Sequence, residues 1–412
     1  VSALAGREVV LYVEGEHERA VLAPIGAELA RRGARVRTTG DLGEPAQIGL
    51  YACHTNRFFD FENGRWRRPP NELSALAVHD LGQAGMLDAS YFEAEPWHVF
   101  DVGLLPGPEW AGMWQRAGAG GTTGPSLGMH VIGWPKMDHV HAAPEAFAQA
   151  VASLRTALGL GTRPVVLLAC SWSNRGQLDD ALAALAATDV DLVVKYPSFT
   201  PPSDDSPWFE RLTAAHDEVE QARAAAREHD RVVVADDETD IMALVSLADV
   251  VLSNGSNVLY ESVLAGVPGV SIREWVHPAG ARGEQAIRPL LDLPGVVSGD
   301  VASLPELVRL VREPAWHRLV SRSGDALVDP ATRGSASARA ADAIEAGLAL
   351  GPEELARRRG AVERAGGQPN VYEQALDAAR AALAASAARE LAAREQLQRY
   401  EQELAELRAR AT

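Results

Sequence analysis

Residues 248–268 read Ala-Asp-Val-Val-Leu-Ser-Asn-Gly-Ser-Asn-Val-Leu-Tyr-Glu-Ser-Val-Leu-Ala-Gly-Val-Pro. The apolar run up to Ser253 predicts a buried strand. Asn254, Gly255, Ser256 and Asn257 then form a turn of small polar residues. A helix is expected to start near Ser256 or Asn257, because Ser and Asn are favoured N-caps, and to run to Gly266. A helix start just beyond a strand's carboxyl end offers backbone N–H groups and a positive dipole end to a phosphate. Gly255 lets the backbone come close to a ligand. Glu261, about one turn into the helix, can accept hydrogen bonds from two ribose hydroxyls. An ordinary capped strand-to-helix turn uses the same residue types, so the segment needs its surroundings.

Working outward, short apolar runs recur at 165–169, 192–195, 232–235 and 269–272, with helical stretches between most of them. A second series precedes it, at 7–14, 34–38, 48–52, 76–79, 99–105 and 130–132, opening as strand, glycine turn, helix and strand. Alternating strands and helices predict an α/β fold with doubly wound parallel sheets. A linker at 138–146 divides the chain into halves of 1–140 and 145–345, with loops expected at 62–72 and 118–128. From residue 372 onward there is no Pro or Gly. A seven-residue repeat runs from Tyr372 to Leu407, interrupted at Ser386 and Glu390. It predicts a long helix over 370–412, either packed on its own domain or forming a homodimer handle.

Bulk properties narrow the class. The 412 residues suit two domains. A net charge of −17 argues against broad nucleic-acid binding, which needs a basic footprint. The absence of an 18-residue apolar run predicts no membrane-spanning helix. No basic-then-apolar start marks a signal peptide, and the chain opens on Val1 rather than Met. Only Cys53 and Cys170 occur, which suits a reducing cytoplasm. No Gly-x-x-x-x-Gly-Lys-Ser/Thr loop or Gly-x-Ser-x-Gly elbow is present, and no Asp/Glu/His spacing marks a metal site.

Candidate side chains collect where runs end. His79 closes an apolar run, and a neutral imidazole there can take a proton from a hydroxyl; Asp80 is beside it. Lys136 sits near the domain joint, as a diphosphate counter-ion or a surface lysine. Lys195 ends another run and precedes Tyr196, which either stacks on a base or packs. Ser171 and Arg175 lie in the first loop of the second half, where a guanidinium can grip a pyrophosphate with two prongs. His17, in a Glu-Gly-Glu-His-Glu stretch after the first strand, suits an acceptor side or a solvated helix start. Arg65, Trp66, Arg67 and Arg68 form a basic aromatic loop, for a phosphate-rich acceptor, a lipid surface or solvent. His277 and Arg282 follow the last strand.

Several short elements together resemble one family. Val78-His79-Asp80, Gly133-Trp134-Pro135-Lys136-Met137-Asp138, Val194-Lys195-Tyr196-Pro197, the acidic run 236–240, Ser253–Asn257 and Arg333-Gly334-Ser335-Ala336-Ser337-Ala338-Arg339 occur in that order. Over roughly residues 76–340 they are similar to the CDP-glycerol glycerophosphotransferases of teichoic-acid and capsule synthesis, which have the GT-B fold. That resemblance implies two Rossmann-like domains facing a cleft, with the acceptor on the first and the donor nucleotide on the second. It implies no cofactor beyond the donor substrate, CDP-glycerol or a nucleotide sugar. It also implies a hydroxyl acceptor, which a lipid can carry, and a place in the cytoplasm or at the inner membrane face. His79 takes the position of the family's proposed general base. The family's second histidine is Tyr196 here, its Arg is Lys136, and the Gly after its first His is Asp80. The Tyr196 exchange leaves three readings open: glycerol-phosphate transfer, sugar transfer by a GT-B glycosyltransferase, and a non-catalytic scaffold.

Overall fold

A computed structural model describes residues 2–13, 15–52, 58–60, 65–79, 81, 96–170, 177–186, 188–196, 220, 223–224, 227–236, 238–275, 293 and 295–365. The terminal repeat, Ser171, Arg175, His277, Arg282, Asp80 and Cys53 lie outside the described residues.

Two six-stranded parallel sheets organise the chain. The first contains β1 (Glu8–Tyr12), β2 (Arg35–Thr39), β3 (Ala46–Tyr51), β6 (Asn71–Ala77), β7 (Val102–Leu105) and β8 (Met129–Val131), in the order β2-β1-β3-β6-β7-β8. A small antiparallel pair, β4 (Phe59–Asp60) and β5 (Arg65–Trp66), stands apart. The second sheet contains β9 (Val165–Leu168), β10 (Asp191–Val194), β11 (Val232–Val234), β12 (Val250–Ser253), β13 (Gly269–Ile272) and β14 (Val296–Gly299), in the order β11-β10-β9-β12-β13-β14. Each order reverses direction once. The reversal lies between β1 and β3 in the first sheet and between β9 and β12 in the second. In open α/β sheets ligands bind outside the carboxyl ends of the strands at that reversal.

The apolar runs became strands for the expected reason: residues of β1, β7, β9, β10 and β12 are buried on both faces. Two strands differ from expectation. β6 begins at Asn71, inside the stretch read as loop, because its polar groups find buried partners. Tyr51 Oη donates to Asn71 Oδ1 at 2.8 Å, and Ser74 N and Oγ donate to Asp101 Oδ2 at 2.9 and 3.1 Å. β14 carries a half-buried pattern too short to stand out from its sequence.

One apolar cluster runs from Leu4 and Val9 through Ile132, Trp134 and Met137 to Val258, Tyr260 and Ile344, so the halves share a core. The helix Ala336–Ala349, whose first ten residues the sequence groups with the second half, packs on the first: it meets the helix Glu16–Arg31, β6 and β7. Its start is held from the linker. Asp138 accepts from Ala336 N at 2.9 Å and Ser337 N at 2.7 Å, capping the helix from outside. Gly133 has φ of +103°, and a Cβ there would lie 2.6 Å from Thr332 Oγ1. The glycine is therefore required twice, for conformation and for space.

Candidate functional site

The segment 250–264 forms the expected strand, turn and helix: β12 ends at Ser253, and the helix is Val258–Leu264. Gly255 supplies a left-handed turn, with φ of +89°. The capping differs. Asn257 occupies the N-cap with helical backbone angles and makes no side-chain cap bond. Leu259 N instead bonds Ser256 O at 3.1 Å, and Tyr260 N bonds Asn257 O at 2.9 Å. These tight-turn bonds leave fewer first-turn donors for an anion than a helix opened by a side-chain cap.

The Asn257 carboxamide is used elsewhere. Its Nδ2 donates to Glu261 Oε1 at 3.0 Å, and its Oδ1 accepts from Leu81 N, in the first half, at 2.7 Å. Lys136 Nζ donates to the same Glu261 Oε1 at 3.0 Å. Lys136 is 8% exposed and Glu261 2%. The surface reading of Lys136 is thereby corrected: it is a buried cation whose ammonium faces a carboxylate of its own chain, with its charge also 5.6 Å from the Trp134 ring centroid. Burying either charge alone would cost several kcal/mol, so they are buried as a pair. Ser253 Oγ is fully enclosed and has no hydrogen-bond partner among the described residues. It ends β12, at the reversal of the second sheet.

Two histidine rings meet beside the first sheet's reversal. His79 follows β6, and its Nδ1 lies 2.8 Å from Ala52 O, just past β3. A carbonyl only accepts, so Nδ1 carries the proton of the neutral ring and Nε2 is the acceptor nitrogen. The His17 ring, beside the start of the helix after β1, is 5.4 Å from that of His79. Beneath it Glu18, 2% exposed, accepts from Gly15 N at 3.0 Å and lies 3.9 Å from His17 Nε2. Glu18 stood in the sequence only as part of the acidic stretch around His17; its position three residues after Gly15, as in a capping box, is what singles it out.

Other candidates sit further out. Lys195 Nζ donates to Asp236 O at 2.9 Å, near the edge strand β11. A cavity of about 480 Å³ opens along that edge, lined by Arg223, Arg227 and Asp236, and so lies two strands from the β9–β12 reversal. Tyr196 is 5% exposed and packs in the apolar cluster of Cys170, Leu178 and Trp275. It packs, therefore, and burial raises its hydroxyl's pKa. Burial also pushes the Cys170 thiol up to about 12, far from a reactive thiolate. The basic aromatic loop is largely spent internally. Arg67 Nε donates to Asp60 at 2.8 Å, and Arg68 donates to His98 O and Val99 O, both at 3.2 Å. Among the described residues, no helix is long and apolar enough to cross a membrane, and no cluster of three or more His, Cys, Asp or Glu could hold a metal.

No family model matches the chain, and no curated protein matches it. Solved structures do. A histidine-to-asparagine variant of the wall teichoic acid polymerase TagF aligns with a TM-score of 0.56 at 12% identity, covering 86% of this chain and 91% of that one. The variant soaked for 15 minutes with CDPG gives 0.53 at 12%, covering 85% and 89%. An enzyme described as a putative UDP-N-acetylglucosamine 2-epimerase from Listeria monocytogenes gives 0.50 at 13%, covering 83% and 96%. At these identities the likeness is one of fold. Two parallel six-stranded sheets, with the last helices returning to the first, make this chain a GT-B α/β protein whose architecture resembles that of the teichoic acid polymerase.

Proposed function

We propose that the chain is a transferase that takes a CDP-linked alditol, CDP-glycerol first, and moves glycerol phosphate to an acceptor hydroxyl in cell-wall or capsule polymer synthesis. The observation that carries this reading is a join between the halves: the Glu261–Asn257 pair, at the helix after β12, bonds Leu81, two residues from His79 in the first half. Glu261 would receive the donor ribose hydroxyls. Asn254, Gly255 and Ser256, with Ser171, Arg175 and Lys195, would face the phosphates, whereas Ser253, enclosed at the end of β12, would not. The acceptor oxygen attacks the distal phosphorus in line, and a new P–O bond forms. The bond from that phosphorus to the bridging oxygen breaks, CMP leaves with the electron pair, and His79 Nε2 takes the acceptor's proton. Such chemistry rests on positioning and electrostatics. The resemblance of the fold to a polymerase soaked with CDPG supports the choice of donor.

A second reading, sugar transfer from a nucleotide sugar, is favoured by Tyr196. At the position of the family's second histidine it offers a core-packed ring rather than a phosphate ligand. Incubating the chain with CDP-glycerol, CDP-ribitol and nucleotide sugars separates the readings. Release of CMP supports phosphotransfer, release of a nucleoside diphosphate supports sugar transfer, and binding without turnover supports a scaffold. Glu261→Gln is the variant that tests the ribose role. Alanine would strand the buried Lys136 ammonium, whereas glutamine keeps the shape. Loss of one charged hydrogen-bond acceptor predicts CMP binding weakened about tenfold or more by calorimetry, at about 1.5–3 kcal/mol per such bond. Unchanged affinity removes Glu261 from the donor site.

A further inference from the structure

We propose that Asn257 is a positioning residue that carries donor occupancy on the second half to the His79 segment on the first. The inference rests on the reading of Glu261 as the donor-ribose carboxylate, and it moves Asn257 out of the phosphate-binding set expected from sequence. A carboxamide is polar in one direction: oxygen accepts and nitrogen donates. The partners of Asn257 are matched to that polarity. Leu81 N–H can only donate, and it meets Oδ1 at 2.7 Å. Glu261 Oε1 accepts, and it meets Nδ2 at 3.0 Å. Rotating the amide by half a turn would break both bonds, so the partners set its orientation together.

Glu261 Oε1 already shares its charge between Asn257 Nδ2 and Lys136 Nζ. Ribose hydroxyls donating to this carboxylate draw on the same charge and shift the carboxamide. Leu81 then responds at the other end. His79 is two residues away, about 7 Å of chain at most, and its Nδ1 is tied to Ala52 O. A nucleotide bound at Glu261 therefore settles the base through one side chain. The donor comes first, and the base is set once the donor is in place.

Two substitutions separate the ends of this link. Asn257→Ala removes both bonds. Asn257→Asp keeps an oxygen for Leu81 N but loses the donor and faces Glu261 with a second carboxylate. The measurement is backbone hydrogen exchange in the peptide containing His79–Leu81, on the full chain, with and without saturating CMP or UDP; calorimetry gives nucleotide affinity. In the unsubstituted chain, nucleotide slows exchange there about tenfold, the size expected for firming one hydrogen bond. In Asn257→Ala, exchange without nucleotide is about tenfold faster and nucleotide no longer slows it. Asn257→Asp keeps its nucleotide-free protection within about threefold but binds nucleotide about tenfold more weakly and loses the response. Peptides of β1 report whether a variant has simply lost its fold, in which case Asn257→Asp decides. If nucleotide binds Asn257→Ala and still slows exchange at Leu81, the coupling is overturned while the donor site stands. If neither CMP nor UDP binds the unsubstituted chain, the donor site falls and the coupling with it.

Discussion

The 2.8 Å approach of His79 Nδ1 to Ala52 O leaves Nε2 as the acceptor nitrogen of the neutral ring. In the proposed transfer, a base whose tautomer is set by a backbone carbonyl needs no reorientation when the acceptor arrives. His79→Ala is expected to lower turnover by about 10²–10⁴, the usual contribution of a positioned general base, with donor affinity nearly intact because the proposed donor contacts lie on the other half. Steady-state rates with CDP-glycerol, alongside calorimetry with CMP, check both parts. Turnover that survives the substitution removes His79 from the chemistry. Glu18, buried behind His17, lies 3.9 Å from its Nε2.

Among the elements, the last helix of the described chain is tied to the first half by a buried ion pair. In Gly351–Arg364, Arg359 reaches back to Asp101, with Nε to Oδ1 at 2.8 Å and Nη2 to Oδ2 at 2.6 Å. Asp101 is fully buried and also accepts from Ser74 and from Ser126 Oγ at 2.8 Å. Burial pushes its carboxyl's pKa up, but the Arg359 fork and the Ser74 and Ser126 bonds outweigh burial, and the net shift is downward. A two-pronged Arg–carboxylate pair is among the stronger polar contacts, and without Arg359 the buried Asp101 would keep only the longer ion pair to Arg68 Nη1, at 3.4 Å. Arg359→Ala is expected to destabilise the chain by about 1.5–3 kcal/mol, the range for a hydrogen bond to a charged group, because Arg68 remains beside Asp101. Arg359→Lys should recover only part of this, since an ammonium lacks the fork. Denaturant midpoints decide; a change within about 0.5 kcal/mol, the level of an ordinary surface substitution, would show that Asp101 is satisfied without Arg359.

Across the whole molecule, the linker and the second half meet in a pair that responds to pH. His139 Nε2 lies 2.8 Å from Asp240 Oδ2, joining the linker helix Asp138–Ala142 to the start of the helix Ile241–Leu247. The bond to Asp240 raises the His139 pKa above its ordinary 6.5. Burial raises Asp240, but His139 and the N–H groups of Met242 and Ala243 outweigh it, leaving it below 3.8. A raised histidine contributes stability fully below about 6.5 and loses it as pH climbs through the folded value. A depressed aspartate contributes above about 3.8 and loses it as pH falls through its folded value. The pair therefore helps most between those limits. The stability gap between the chain and its His139→Gln variant should be wider at about pH 5.5 than at about pH 8.5. His98, lowered to about 4 by burial and then by Arg68, destabilises on acidification in both proteins and cancels from the difference. Thermal midpoints at the two pH values test this; a gap that stays constant leaves the pair without a part in holding the halves together.

The α/β class, the two series of strands and the strand–turn–helix at 250–264 were legible in the sequence, because each depends on neighbours a few residues apart. Runs of Val, Leu and Ile mark strands buried on both faces, and Gly255 marks the turn. What the sequence could not reveal depends on groups far apart in the chain. β6 starts at Asn71 only because Tyr51 and Asp101 satisfy its polar side chains. Lys136 looked like a surface cation until Glu261, 125 residues later, enclosed it. Asn257 looked like a helix cap, yet its amide joins Glu261 to Leu81, 176 residues earlier. The order of the strands, which puts His79 one strand from the first sheet's reversal and Ser253 at the second's, is likewise decided by packing. Local pattern determines which elements form; burial of charge and polar groups, which needs partners from the whole chain, determines what the same residues do.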